Sequence, residues 1–468
     1  MIPKILLTYV LLECCNGQIL SNLFPSFLET TADLEHELAK TPHVVKASTT
    51  QSNALTVSRL TVTKPPAKLA SILGSLELPS YTNHLSNAQV ADEFLATYNS
   101  GLKNEDVHFN FEQLVTKYGR DYELHEVITK DGYVLSLYRL LGSRDPVFLM
   151  HGLLGSADDF IIAGPEDGLA YLLAQQDYDV WLGNARGNKV SRAHISLSPS
   201  DAAFWDFSWH EIGVYDLPTM IDYILENTNK TSLKYVGHSQ GTTAFFVMAS
   251  EKPEYNKKVS LMAALSPVAF MTKVRSPMIR LMAPGTSLLQ AVSKSAGQNE
   301  FLPDGKLTRL LKKLICGSGM LANIICGNLM FLSYGFDFAQ FNISNLPVIF
   351  SHMPSGASMK QLVHYGQGLI NEDFRHFDYG SMENSERYGT MLAPSYNLEN
   401  IKTPIWMFCA ESDWLADPVD VEILRSKLKN VIDIYKIQNK EFNHIDFVIA
   451  KDVAKLVYRM VLKVLSSF

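Results

Sequence analysis

From about Val107 onward, apolar and polar positions follow two rhythms. Residues 111–115 read as a short helix and 124–128 as a strand. Asp131-Gly132 is a hairpin turn signal from which 133–138 returns. Short apolar runs at 147–150, 178–182 and 233–237 then read as strands, with helical patterns at 168–175, 217–226 and 242–250 between and after them. Pro218 suits the first turn of its helix, where a missing N–H leaves nothing unpaired. Strands return at 405–409 and 432–435. In the last helix Val453, Leu456, Val457, Met460, Val461, Val464 and Leu465 form an apolar stripe, with Lys455, Arg459 and Lys463 opposite. Short apolar strands separated by helices predict an α/β fold whose mostly parallel sheet is covered on both faces.

Two regions break the alternation. Between about 270 and 397 the chain is rich in Met, Leu, Pro and Gly, and strands are unclear. An insertion of this kind packs over the carboxyl ends of the strands, where loops build sites. Within it Leu307, Leu310, Leu311, Leu314 and Ile315 fall at i, i+3, i+4, i+7 and i+8, with Lys306, Arg309, Lys312 and Lys313 on the other face. Residues 18–100 differ in kind. Nine of the 23 residues from 41 to 63 are Ser or Thr, Pro65-Pro66 follows, and no period is sustained. That composition predicts a flexible or pro-like segment.

At the N-terminus, Lys4 precedes the apolar run 5–12, and Cys15, Asn16 and Gly17 follow. Residues 1–17 read as a secretory signal peptide, from which Glu13 departs; the run is too short to cross about 30 Å of hydrocarbon. No later stretch is long enough for a transmembrane helix. Asn229-Lys230-Thr231 and Asn342-Ile343-Ser344 are glycosylation sequons, which agree with a secreted protein.

The net charge of -7 argues against a nucleic-acid partner, and five cysteines are too few for a disulfide scaffold. In an oxidising compartment Cys316 and Cys326 are a candidate disulfide, the alternative being two buried thiols. Cys409, inside an apolar run, reads as a small buried hydrophobe.

Gly237-His238-Ser239-Gln240-Gly241 fits G-x-S-x-G, with an apolar strand before it and a helix after it. The serine of such a motif sits in a strained turn, so glycine neighbours relieve crowding around an exposed Oγ. A serine hydroxyl needs a base oriented by a third group, in the chain order Ser, acid, His. Past the strand at 405–409, Asp413 stands where the acid belongs. Asp417 before Pro418 reads as a helix N-cap, and Glu411 is a third candidate. His444 lies in a loop before a helix, and Asp446 reads as a helix-start acid. The oxyanion donors expected are the amides of Gln240 and of Leu153, in the loop 150–155; His151 reads as a structural loop residue. Gly317-Ser318-Gly319 lacks the preceding strand of a dinucleotide motif. His210-Glu211 has Val214 where a zinc site needs histidine, so neither cofactor nor metal is implied.

From about residue 105 onward the chain resembles the animal acid lipases, that is gastric lipase, lysosomal acid lipase and their secreted insect relatives. The matching strings are His151-Gly152-Leu153-Leu154, residues 179–188, Gly237-His238-Ser239-Gln240-Gly241, Asp413-Trp414-Leu415-Ala416-Asp417 and Asn443-His444-Ile445-Asp446-Phe447. The resemblance implies an α/β-hydrolase fold with a largely helical cap and lid insertion at 270–397. It implies Ser239 as nucleophile, Asp413 as acid, His444 as base and Leu153 with Gln240 as the oxyanion hole. It likewise implies a Cys316–Cys326 cap disulfide and a lid at the helix near 307–315. The activity expected is hydrolysis of long-chain acyl esters, triacylglycerols or sterol esters, at an oil–water or membrane interface, by a secreted or lysosomal protein. The alternatives are an esterase for smaller soluble esters and a lipid carrier without catalysis. The N-terminal segment is longer than the family usually has.

Overall fold

The strands at the centre of the sheet are buried on both faces. The computed structural model describes residues 96–97, 99–276, 279–280, 299–302, 333–335, 337 and 339–468, all within the unit Leu95–Phe468. The signal segment, most of 18–100, the helix near 307–315 and the Cys316–Cys326 pair lie outside the described residues.

The main sheet contains β1 (Glu123–Ile128), β2 (Tyr133–Leu140), β3 (Pro146–Met150), β4 (Asp179–Gly183), β5 (Ala193–His194), β6 (Leu233–His238), β7 (Val259–Leu265), β10 (Ile405–Cys409) and β11 (Val431–Lys436); a separate antiparallel pair joins β8 (Glu300–Phe301) to β9 (Ala357–Ser358). The order is β1-β2-β4-β3-β6-β7-β10-β11, with β5 beside β2. From β4 to β11 all neighbours are parallel, whereas β1, β2 and β5 pair antiparallel. Because side chains alternate along a strand, Val147 and Leu149 enter one core and Phe148 and Met150 the other. Helices α1 (Phe111–Lys117), α2 (Leu169–Gln175) and α9 (Arg459–Ser466) cover the first face; α3 (Leu217–Thr228) and α4 (Gln240–Glu251) cover the second. Between β7 and β10 lie α5 (Leu346–His352), α6 (Met359–Ile370) and α7 (Ser381–Tyr388), and α8 (Pro418–Lys427) follows β10. Among the described residues no helix is long and apolar enough to cross a membrane.

Three differences from the sequence reading have physical causes. The strand β7 is unannounced by the pattern: Val-Ser-Leu-Met-Ala-Ala-Leu is rich in helix formers, and it is a strand because β6 and β10 hydrogen-bond to both its edges. Order begins before Val107. Residues 96–97 and 99–101 are helical, and a Cβ on Gly101 would come within 2.1 Å of the Ser344 carbonyl oxygen, a contact no local pattern reveals. Finally, two helices are continuous through π turns. Ile212–Asp216 links Trp209 to α3 just before Pro218, and Ala454–Tyr458 precedes α9. A π turn widens the helix where proline cannot donate. At the second, the added residue turns Tyr458 inward to donate to the Phe447 carbonyl at 2.6 Å, while Leu456 and Met460 of the expected stripe are only partly buried.

The chain passes from β3 outward to β4 and then returns to place β6 on the other side of β3. Loops leaving adjacent strands in opposite directions open a crevice at their carboxyl ends. Met150 pairs with Gly237, His238 with Leu265, and Leu265 with Phe408, so four strands end level with one another.

Candidate active site

Ser239 leaves the end of β6 with φ 52° and ψ -117°, and α4 begins at the next residue. Positive φ is costly for a residue with a side chain, so the turn persists only because its surroundings hold it. Its backbone N–H donates to the Leu265 carbonyl at 3.1 Å. A Cβ on Gly241 would come within 2.3 Å of the Met150 carbonyl oxygen, and one on Gly237 within 2.9 Å of Gly241. Both glycines of the motif are therefore demanded by the close approach of α4 to β3 and β6.

His444 Nε2 lies 2.7 Å from Ser239 Oγ, and its Nδ1 lies 3.0 Å from each carboxylate oxygen of Asp413. Asp413 and His444 are both buried. Asp413 Oδ1 accepts from the amides of Leu415 at 2.9 Å and Ala416 at 2.8 Å, which fixes the carboxylate plane. Burial opposes its ionisation, but His444, the Ser266 hydroxyl and the Ala416 amide outweigh burial and hold it below the usual carboxylate range. The other acids are occupied elsewhere. Asp417 caps α8 by accepting from Val419 N at 2.9 Å and pairs with Arg275 at 2.7 Å. Glu411 is exposed, and Asp446 opens a helical turn and accepts from Asn443 N at 2.8 Å.

Sequence reasoning missed Ser266, which follows β7 at φ 51°. Its hydroxyl donates to Asp413 Oδ2 and lies 2.6 Å from His444 Nδ1. No motif marks a serine here; recognising β7 as a strand would have been the signal.

Gln240 is the first residue of α4, where an amide has no intrahelical acceptor. Leu153 lines the same pocket as Ser239, and a Cβ on Gly152 would stand 3.1 Å from that of Ser239. The loop carrying both is set by His151. Its Nε2 accepts from Ala185 N at 3.1 Å and Asn188 Nδ2 at 3.3 Å, so its Nδ1–H donates to the Gly152 carbonyl at 2.7 Å. Burial lowers the His151 pKa to about 4, which keeps the ring neutral as this pattern requires. His238, lowered by burial to about 3, donates from Nε2 to the His444 carbonyl at 3.1 Å.

Beyond Ser239 opens an apolar cavity, part of it facing solvent, walled by Leu153, Val268, Met271, Leu362, Tyr365, Leu369 and Leu415 among others. Helix α6 of the insertion supplies three of those residues. An imidazole between a carboxylate and a serine hydroxyl can take the serine proton while the oxygen attacks a carbonyl. Among the described residues no cluster of His, Cys, Asp or Glu is arranged to hold a metal ion. Cys409 is a free buried thiol whose pKa burial pushes up, and Asn229 is exposed at the end of α3.

Two family models match the chain: an alpha/beta hydrolase fold over residues 145–283 and a partial alpha/beta-hydrolase lipase region over 111–164. Among curated proteins, Lipase 1 of Drosophila melanogaster is 41% identical over 66% of this chain and 68% of its own length. Human gastric triacylglycerol lipase is 38% identical over 65% of this chain and 75% of its own. Human lysosomal acid lipase/cholesteryl ester hydrolase is 36% identical over 64% and 74% respectively.

Proposed function

The chain belongs to the α/β-hydrolase lipases, and we propose on that premise that it hydrolyses long-chain acyl esters, triacylglycerols or sterol esters, through Ser239, His444 and Asp413. The observation that carries this reading is the 2.7 Å contact from His444 Nε2 to Ser239 Oγ at the mouth of an apolar cavity. In the proposed reaction Ser239 Oγ attacks the ester carbonyl and its proton passes to His444 Nε2. Asp413 stabilises the resulting imidazolium. The carbonyl oxygen, now negative, accepts from the amides of Leu153 and Gln240. His444 then protonates the leaving alcohol, an acyl group remains on Ser239, and water activated by the same imidazole releases the fatty acid. The apolar cavity walls suit a hydrocarbon chain, whose burial contributes about 0.8 kcal/mol per methylene.

The names of the relatives, gastric and lysosomal, support a protein of the secretory route, acting on lipid at an interface after release or in the lysosome. The exposed Asn229 sequon and the one at Asn342 suit that route, as does a Cys316–Cys326 disulfide.

Ser239→Ala tests the reading. Turnover of emulsified triacylglycerol should fall by at least about 10⁴-fold, with the unfolding temperature unchanged and fluorophosphonate labelling abolished. Substantial residual turnover would remove Ser239 from the chemistry. Wild-type activity confined to short soluble esters would make the protein an esterase.

A further inference from the structure

The hydroxyl of Ser266 stands at the one nitrogen of His444 on which the proposed reaction depends for its tautomer. Nδ1 carries a single hydrogen, yet three oxygens surround it: Asp413 Oδ1 and Oδ2 at 3.0 Å each, and Ser266 Oγ at 2.6 Å. The serine hydroxyl also contacts Asp413 Oδ2. An ionised carboxylate only accepts, so the hydroxyl hydrogen belongs to that contact, and a lone pair of Oγ is left facing Nδ1. Nδ1 must then hold its hydrogen, which leaves the lone pair of Nε2 for Ser239.

The two carboxylate oxygens are held by different groups. Backbone amides of Leu415 and Ala416 engage Oδ1, whereas Ser266 engages Oδ2. The position of Ser266 is fixed as firmly: its N–H donates to the Phe408 carbonyl at 2.8 Å, and the residue before it accepts from Ser239 N at 3.1 Å. One turn of chain thus joins nucleophile, acid strand and base. Ser266 is fully buried and keeps a side chain at φ 51°, where glycine would be unstrained. Strain retained at a buried hydroxyl between two reacting groups marks a residue kept for its side chain.

We propose that Ser266 is a positioning residue for His444, its hydroxyl fixing the Nδ1–H tautomer and the Oδ2 of Asp413 together. This rests on the triad reading above and extends it to a fourth side chain.

The test uses the full chain and steady-state hydrolysis of a soluble ester. Ser266→Ala and Ser266→Gly both remove the hydroxyl, and Gly also relieves the backbone. Both should lower kcat about tenfold, the effect of one hydrogen bond to a charged group, and leave KM within about twofold. Ser266→Gly should unfold at a temperature no lower than Ser266→Ala. In an Asp413→Asn background, Ser266→Ala should add less than about threefold, since both act through one nitrogen. Wild-type kcat in Ser266→Gly, or full additivity with Asp413→Asn, would overturn the positioning role. Ser239→Ala, run alongside, separates the two ideas. If it retains turnover, the triad reading falls and this one with it. If it is inactive while the Ser266 variants match wild type, only the role of Ser266 falls.

Discussion

Of two buried ionic assemblies that border the sheet, one is saturated and the other has an atom to spare. Arg186, 1% exposed, donates from Nε to Asp216 Oδ1 at 2.7 Å and from Nη1 and Nη2 to the two oxygens of Asp131 at 2.5 and 2.9 Å. The ring of Tyr133 lies 4.0 Å from its guanidinium carbon. Every face of that cation is occupied, so the cluster pins the loop after β4 to the hairpin and to the helix ahead of α3. The His444–Asp413–Ser266 assembly is as deeply buried and as well bonded on its inner side, but Nε2 of the imidazole points outward to Ser239 at the cavity. Saturating a buried charge makes structure. Leaving one nitrogen at an apolar opening supplies the base of the proposed reaction.

The comparison breaks most visibly at Asp413. Asp413→Asn should lower kcat by roughly 10⁴-fold because the amide no longer holds the productive tautomer. The circular dichroism spectrum should be unaltered; comparable activity would move the acid elsewhere. Arg186→Met should do the reverse. It strands Asp131 and Asp216 without their cation, a loss of about 3–5 kcal/mol read as a drop in denaturation midpoint. Activity per folded molecule should change far less than in Asp413→Asn.

Another buried carboxyl sharpens the contrast. Asp158 pairs with Lys189 and with His352, and adjacent Asp159 accepts from Ser156 N at 3.2 Å. Burial, with the charge of Asp158 beside it, raises the Asp159 pKa to about 7. A carboxyl with a folded-state pKa above its unfolded one binds its proton more tightly when folded. Its contribution is therefore full below about pH 4 and is lost as pH rises through 7. Thermal midpoints of Asp159→Asn should fall less than those of the wild type between pH 5 and 8; parallel curves would exclude this group. The smallest effect belongs to Asp417→Asn. Asparagine caps as well as aspartate, and solvent around the 41% exposed Arg275 side chain limits its pair with the buried Asp417 to about 0–1 kcal/mol. A large kinetic loss there would reassign the acid.

The residues that could be read in sequence are those whose chemistry is local. The strand–turn–helix context of Ser239, the cap at Asp417 and the loop position of His444 are properties of short windows. Ser266 and Arg186 are properties of topology. Ser266 matters because β7 lies between β6 and β10, yet β7 has the composition of a helix. Arg186 matters because a hairpin 55 residues earlier and a helix 30 residues later meet on it. The π turns before α3 and α9 escaped for the same reason, since a periodic stripe carries no record of one added residue.

The contacts that define the catalytic group span 205, 178 and 31 residues of sequence. During synthesis from the N-terminus, a chain that has formed β6 and α4 already exposes an elbow serine, but with no base within reach. Under the proposed reaction, hydrolytic competence arrives only with the loop beyond β11, which carries His444. The same dependence runs in reverse on heating. His444 rides on a loop after β11, which among the described residues pairs only with β10, whereas Ser239 follows the central strand β6. Activity should disappear while most helical signal persists, so an ester assay reports the integrity of the sheet's last edge before any spectrum does.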